Sequence, residues 1–178
     1  RNQRQPFSLE RLKEFLIKQA GSSDEAESLE ALKILVQLAP PQARPLFLGC
    51  LEKPATFALG ALGLSAIGDP AAGKHLLRIL EEPAPGAQAA GKAPGRSRSA
   101  DFRLDAAIAL CESGDLEAVD YLMQKLSERD LAVLFRVLAT LSDLAGDIAQ
   151  QPGLRERFLE LALRGDTIHQ APWNFYPY

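Results

Sequence analysis

From Phe57 to Glu82 the chain reads FALGALGLSAIGDPAAGKHLLRILEE, and 46 positions on it reads RLDAAIALCESGDLEAVDYLMQKLSE. In both stretches apolar and small residues recur at three- and four-residue spacing, which predicts a helix, a break, and a second helix. The break is the same two residues in each, Gly68-Asp69 and Gly114-Asp115, and Ala61/Ala107, Leu64/Leu110, Ala72/Ala118, Leu76/Leu122 and Leu80/Leu126 align across the shift. A glycine just past a helix can take the left-handed conformation that closes it, and the aspartate beside it can cap the next helix, worth about 1 kcal/mol. Pro70 is expected at the first position of its helix and Glu117 in the first turn of the matching one. Each copy is therefore predicted to fold back as an antiparallel helix pair.

The same pattern extends outward. Ser8 is expected to start a helix to about Ala20 with Leu9, Leu12, Phe15 and Leu16 on its apolar side, and Ser22, Ser23 and Asp24 to start another to about Leu38. A shift of 29 lays Leu35 on Leu64, Phe47 on Leu76 and Leu51 on Leu80, giving a first unit over 24–52 and a second over 54–82. A third runs from about 101 to 128. A fourth carries Leu131, Leu134, Phe135, Leu138 and Leu141 to Gly146-Asp147, with a longer turn before a last helix from about Leu154 to Arg164. The expectation is one domain over 1–164, all-α, of about four antiparallel helix pairs with an extra N-terminal helix. Gly60 and Gly63 fall inside a helix, where each costs about 1 kcal/mol relative to alanine, so close approach of a neighbouring helix is expected there.

Two segments break the pattern. Residues 83–100, rich in Pro, Gly, Ala and Ser and carrying Lys92, Arg96 and Arg98, read as a flexible basic insertion. Residues 165–178 hold four aromatics, Trp173, Phe175, Tyr176 and Tyr178, and Pro172 and Pro177 bar a helix there. This tail is expected to be extended, either as a cap on the last helices or as a docking peptide.

Composition narrows the class. Hydrophobic residues make up 47% of the 178 and aromatics only 7%, a balance that suits helix packed on helix. The net charge of -3 disfavours a general phosphate-binding surface, so nucleic acid is an unfavoured partner. Cys50 and Cys111 fall inside apolar helices and are expected to be buried free thiols, which favours a cytoplasmic setting. No apolar run is long enough to span a membrane and no signal peptide is visible. The chain opens at Arg1 rather than Met, as expected of a fragment or processed product that can have lost an anchor or targeting segment.

The run Arg103, Ala106-Ala107, Leu110, Gly114-Asp115, Ala118, Leu122 and Leu126 resembles the short HEAT-like repeat of the phycobilin-lyase type. Residues 58–80 repeat it with Leu62, Leu64, Gly68-Asp69-Pro70 and Leu76. The resemblance covers about 24–164 and implies a HEAT/armadillo-like α-solenoid whose second helices line a concave binding side. On that basis the polar positions of the second helices, Lys74, His75 and Arg78, then Asp120, Tyr121, Gln124 and Lys125, are the candidate partner-binding ridge, with the alternative that they are ordinary solvated residues.

No catalytic, cofactor or metal constellation is visible. His75 and His169 stand far apart without Cys, His or carboxylate at ligand spacing. Cys50 as a nucleophile is disfavoured, because apolar surroundings raise a thiol pKa. Arg164-Gly165-Asp166 is read as a helix stop. The sequence thus points to a non-enzymatic scaffold or adaptor for other proteins. A bilin-lyase or chaperone-isomerase-like protein and a DNA-binding helical repeat stand as alternatives.

Overall fold

The computed structural model describes residues 8–81, 102–126 and 130–163. The expected insertion at 83–100 and the aromatic tail at 165–178 lie outside the described residues. Among those described there are ten α-helices and two 3-10 turns, and no strand. By their internal contacts the residues fall into two compact units, 1–109 and 110–178.

The first unit holds α1 (Leu9–Ala20), α2 (Glu25–Leu38), α3 (Arg44–Cys50), α4 (Phe57–Ala66), α5 (Ala72–Glu81) and the start of α6 (Phe102–Glu112). Asp24 caps α2 through Oδ1, which accepts from the Ala26 and Glu27 amides at 2.9 and 3.1 Å. Ser28 Oγ donates to the Ala20 carbonyl at 2.7 Å and ties α2 to α1. Of the apolar face expected on α1, Leu16 is buried and Leu12 half-buried, while Leu9 and Phe15 are exposed. The reason is that α1 packs chiefly on α2, and one neighbour cannot cover a stripe that wide. At the end of α2 Ala39 takes the left-handed conformation at φ 44° and steers the chain into Pro40-Pro41.

Helix α4 is the centre of this unit, packed against α2, α3 and α5. Leu59, Gly60, Ala61, Gly63 and Leu64 are all buried on it. Gly60 and Gly63 face α3: a Cβ on Gly60 would stand 2.7 Å from the Phe47 carbonyl oxygen, and one on Gly63 would run into the Phe47 ring. The two glycines let α3 seat its one aromatic side chain, the fully buried Phe47, directly on α4. Close approach expected from sequence is what they provide.

Both Gly-Asp corners have the same geometry. Gly68 has φ 72° and Gly114 φ 89°. The Gly68 amide donates to Ser65 and the Asp69 amide to Leu64, at 2.8 and 2.9 Å; Gly114 donates to Cys111 and Asp115 to Leu110, each at 3.0 Å. This is the Schellman closure, which satisfies carbonyls a helix end would otherwise orphan. Asp69 Oδ1 then accepts from the Ala71 amide at 2.9 Å and Asp115 Oδ1 from the Glu117 amide at 3.1 Å, so each acid opens the helical segment after it. Pro70 precedes α5, which begins at Ala72, instead of occupying its first position.

The second unit holds the end of α6, α7 (Val119–Lys125), α8 (Leu131–Asp143), α9 (Ala145–Gln150) and α10 (Pro152–Leu163). Asp130 caps α8 by accepting from the Ala132 amide at 2.8 Å. Gly146-Asp147 is no corner here: both residues lie inside α9, and the Leu144 and Ile148 amides continue i→i-4 bonding at 3.1 and 2.9 Å. No helix begins just after Asp147 for it to cap, because the break comes later, at Gln151-Pro152, with Pro152 at the first position of α10. No helix among the described residues is long and apolar enough to cross a membrane.

Candidate interaction surface

Helix α5 divides sharply. Ala72, Leu76 and Ile79 are buried, while Lys74 and Arg78, one turn apart, are exposed and His75 is half-buried beside them. Phe57, the first residue of α4, organises this side. Its ring meets the His75 imidazole edge-on, centroids 5.8 Å apart at 77°, and the Arg78 guanidinium carbon stands 5.2 Å from its centroid. Burial, then the positive charges of Lys74 and Arg78, push the His75 pKa below its ordinary value, so the imidazole is neutral at pH 7. The Phe57 ring therefore contacts both the His75 imidazole and the Arg78 guanidinium. Sequence reasoning missed Phe57, whose partners come from another helix; the only signal is an aromatic at the start of a helix otherwise built largely of small residues.

Helix α7 follows the same plan with different parts. Val119, Leu122 and Met123 are buried. Lys125 lies with its Nζ 5.5 Å from the Tyr121 ring centroid, one turn back, and Gln124 is exposed between them. Asp120 behaves otherwise than its place in the candidate ridge suggests, because Arg157 of α10 pairs with its Oδ2. Asp120 also lines a concavity of about 490 Å³ together with Gly114, Asp115, Leu116, Glu117, Gln151 and Leu154. The seven sequence-chosen residues thus form two local clusters, Lys74-His75-Arg78 and Tyr121-Gln124-Lys125, with Asp120 committed to α10. Trp173, Phe175, Tyr176 and Tyr178 lie outside the described residues.

The remaining polar chemistry serves the fold. Asp69 Oδ2 accepts from Arg44 of the preceding pair. The Ala71 amide, then Arg44, hold its carboxyl below the usual carboxylate range. Arg103 in the first turn of α6 donates to the Leu80 carbonyl at the end of α5, where a cation also meets the negative end of the helix dipole. Cys50 and Cys111 are buried free thiols; burial raises both pKa values, that of Cys111 to about 12, so neither offers a thiolate. No group of three or more potential metal ligands occurs among the described residues.

Residues 102–128 match the family model described as PBS lyase HEAT-like repeat. The match spans α6, the Gly114-Asp115 corner and α7. No curated protein and no solved structure matches the chain. The successive helices joined at Gly-Asp corners and the family match agree: this is an all-α helical-repeat protein carrying a HEAT-like repeat.

Proposed function

We propose that the chain is a non-enzymatic interaction module that takes up protein partners on the outward faces of its second helices, α5 and α7. One observation carries this reading: each helix lays a cation against an aromatic ring, Arg78 of α5 on Phe57 of α4 and Lys125 of α7 on its own Tyr121, while Ala72, Leu76 and Ile79 of the one and Val119, Leu122 and Met123 of the other are buried. Stacking of this kind limits the sweep of a long side chain, which lowers the entropy lost when a partner arrives. Arg and Tyr are also residue types over-represented among those that dominate binding energy. The two buried, high-pKa thiols weigh against covalent chemistry by this chain's own cysteines.

The test is capture of partners on the full chain, repeated with His75→Ala/Arg78→Ala and with Tyr121→Ala/Lys125→Ala. Each pair should weaken a specific partner about tenfold or more, ~1.4 kcal/mol, while Lys18→Ala/Lys33→Ala leaves it unchanged. Equal retention by all three variants would refute the assignment. The name of the matched repeat supports a second reading, a bilin-handling protein. A shift in the absorbance of an added bilin would favour it, and an unchanged spectrum would remove it.

A further inference from the structure

Helix α8 has two opposite characters. Val137, Thr140 and Leu141 are buried on one side. On the other, Leu131, Phe135 and Leu138 are 48%, 64% and 42% exposed, and their spacing of four and three residues places them on a single stripe. Scattered exposed leucines are ordinary, but three large apolar side chains in line on one helix are not. The comparison within the chain is α4, also the first helix of its pair, which is buried through the contacts of α2, α3 and α5. Among the described residues the principal packing partners of α8 are α7 and α9, and Leu131, Phe135 and Leu138 stay exposed beside them.

The chain itself supplies a match. Helix α10 is described to Leu163 and packs on α9, which packs on α8. The residues beyond include Trp173, Phe175, Tyr176 and Tyr178, and from Gln170 to Tyr178 there is no charged side chain. Nine residues of chain from 164 to 172 reach up to about 30 Å, against about 20 Å for the length of a helix the size of α8. Tethered so closely, the aromatic segment is at an effective concentration on the order of millimolar, enough to fill a site that would bind it only weakly as a free peptide.

We propose that the Leu131-Phe135-Leu138 stripe of α8 is a docking surface, and that its occupant is the chain's own segment 173–178. The segment then stands where a following helix pair would stack, covering apolar area that the last described pair leaves open.

Trp173 is the chain's one tryptophan, so its emission reports on this contact directly. In the native full chain the emission should lie to shorter wavelength than in the urea-unfolded chain, and acrylamide should quench it less. Both differences should be independent of protein concentration. Phe135→Ser/Leu138→Ser should abolish them without loss of far-UV helicity, since both side chains already lie outside the core. If that variant unfolds, the reciprocal change decides: Trp173→Ser/Phe175→Ser/Tyr176→Ser in the full chain should raise binding of an apolar dye, and adding Phe135→Ser should lower it again. Unfolded-like emission in the native chain, a blue shift that survives the α8 substitutions, or no change in dye binding would overturn the proposal. A blue shift that fades on dilution would also overturn it and assign the stripe to a second copy.

Discussion

Alanine placed at Gly60 or Gly63 should destabilise the protein, and alanine placed at Gly49 or Gly73 should stabilise it. All four glycines lie in helices, so propensity alone predicts a gain of about 1 kcal/mol at each. Packing reverses the sign at two of them. At Gly60 the new Cβ would meet the Phe47 carbonyl oxygen at 2.7 Å, the Cys50 Cβ at 2.9 Å and the Leu51 amide nitrogen at 3.2 Å. Those are mainly backbone atoms at α3 and its end and cannot swing aside, so α3 and α4 must separate. At Gly63 the obstacle is the Phe47 ring, which is fully buried and has nowhere to turn. Overpacking of this kind costs about 1–3 kcal/mol, and separating the helices also loosens Leu59, Ala61 and Leu64, so the net loss is expected near 1–2 kcal/mol. For a chain of this size that lowers Tm by about 2–8 °C. At Gly49 and Gly73 an added methyl would meet nothing within 4 Å, and each substitution should gain about 0.5–1 kcal/mol. Urea and thermal unfolding measured by far-UV circular dichroism gives all four values. Adding Phe47→Leu to Gly63→Ala should recover about 1 kcal/mol relative to the sum of the single changes. Four substitutions of the same sign, or no coupling between positions 47 and 63, would refute the packing argument.

Other sites yield three further expected outcomes. Gly68→Ala and Gly114→Ala should each cost about 1–2 kcal/mol, because the left-handed backbone and not crowding is the obstacle, while Ala39→Gly, with φ 44°, should gain about 1 kcal/mol in the same unfolding assay. The depressed pKa of Asp69 means that its contribution is present above the unfolded carboxylate value and is lost as pH falls through its lower folded value; His75, also depressed, makes the unfolded chain the better proton acceptor as pH drops below about 6.5, so both favour unfolding in acid. Asp69→Asn and His75→Gln should each flatten the acid side of a stability-pH curve, and an unchanged curve would contradict the assignment. Cys50 and Cys111 should resist a thiol reagent at pH 8 until the chain unfolds; rapid labelling of the native protein would contradict their burial.

How much of this was legible in the sequence depends on whether a feature is local. The Gly68-Asp69 and Gly114-Asp115 corners could be read directly, since the φ requirement and the cap both lie within a few consecutive residues. Gly146-Asp147 has the same letters, yet it sits inside α9, because the residues after it extend a helix and the break falls at Pro152. Local chemistry permits a corner without imposing one. The buried stripe of α5 was legible from its spacing. Phe57 was not, because its role depends on which side of α5 the first turn of α4 meets. Asp120 was likewise chosen by register within α7, while its partner Arg157 lies 37 residues away on α10. The exposure of Leu9 and Phe15 shows the same limit from the opposite direction: spacing identifies an apolar stripe, but the neighbours decide how much of it is covered.

The proposal that α5 and α7 meet protein partners is tested most directly by photo-crosslinking in the source organism. A photoreactive residue is placed in turn at His75, at Tyr121 and, as a control on α1, at Lys18. The expected result is discrete adducts of the same protein from positions 75 and 121, none from 18, and loss of the adduct at 75 when Arg78→Ala is added. Adducts of equal yield at all three positions, or none at 75 and 121, would contradict it.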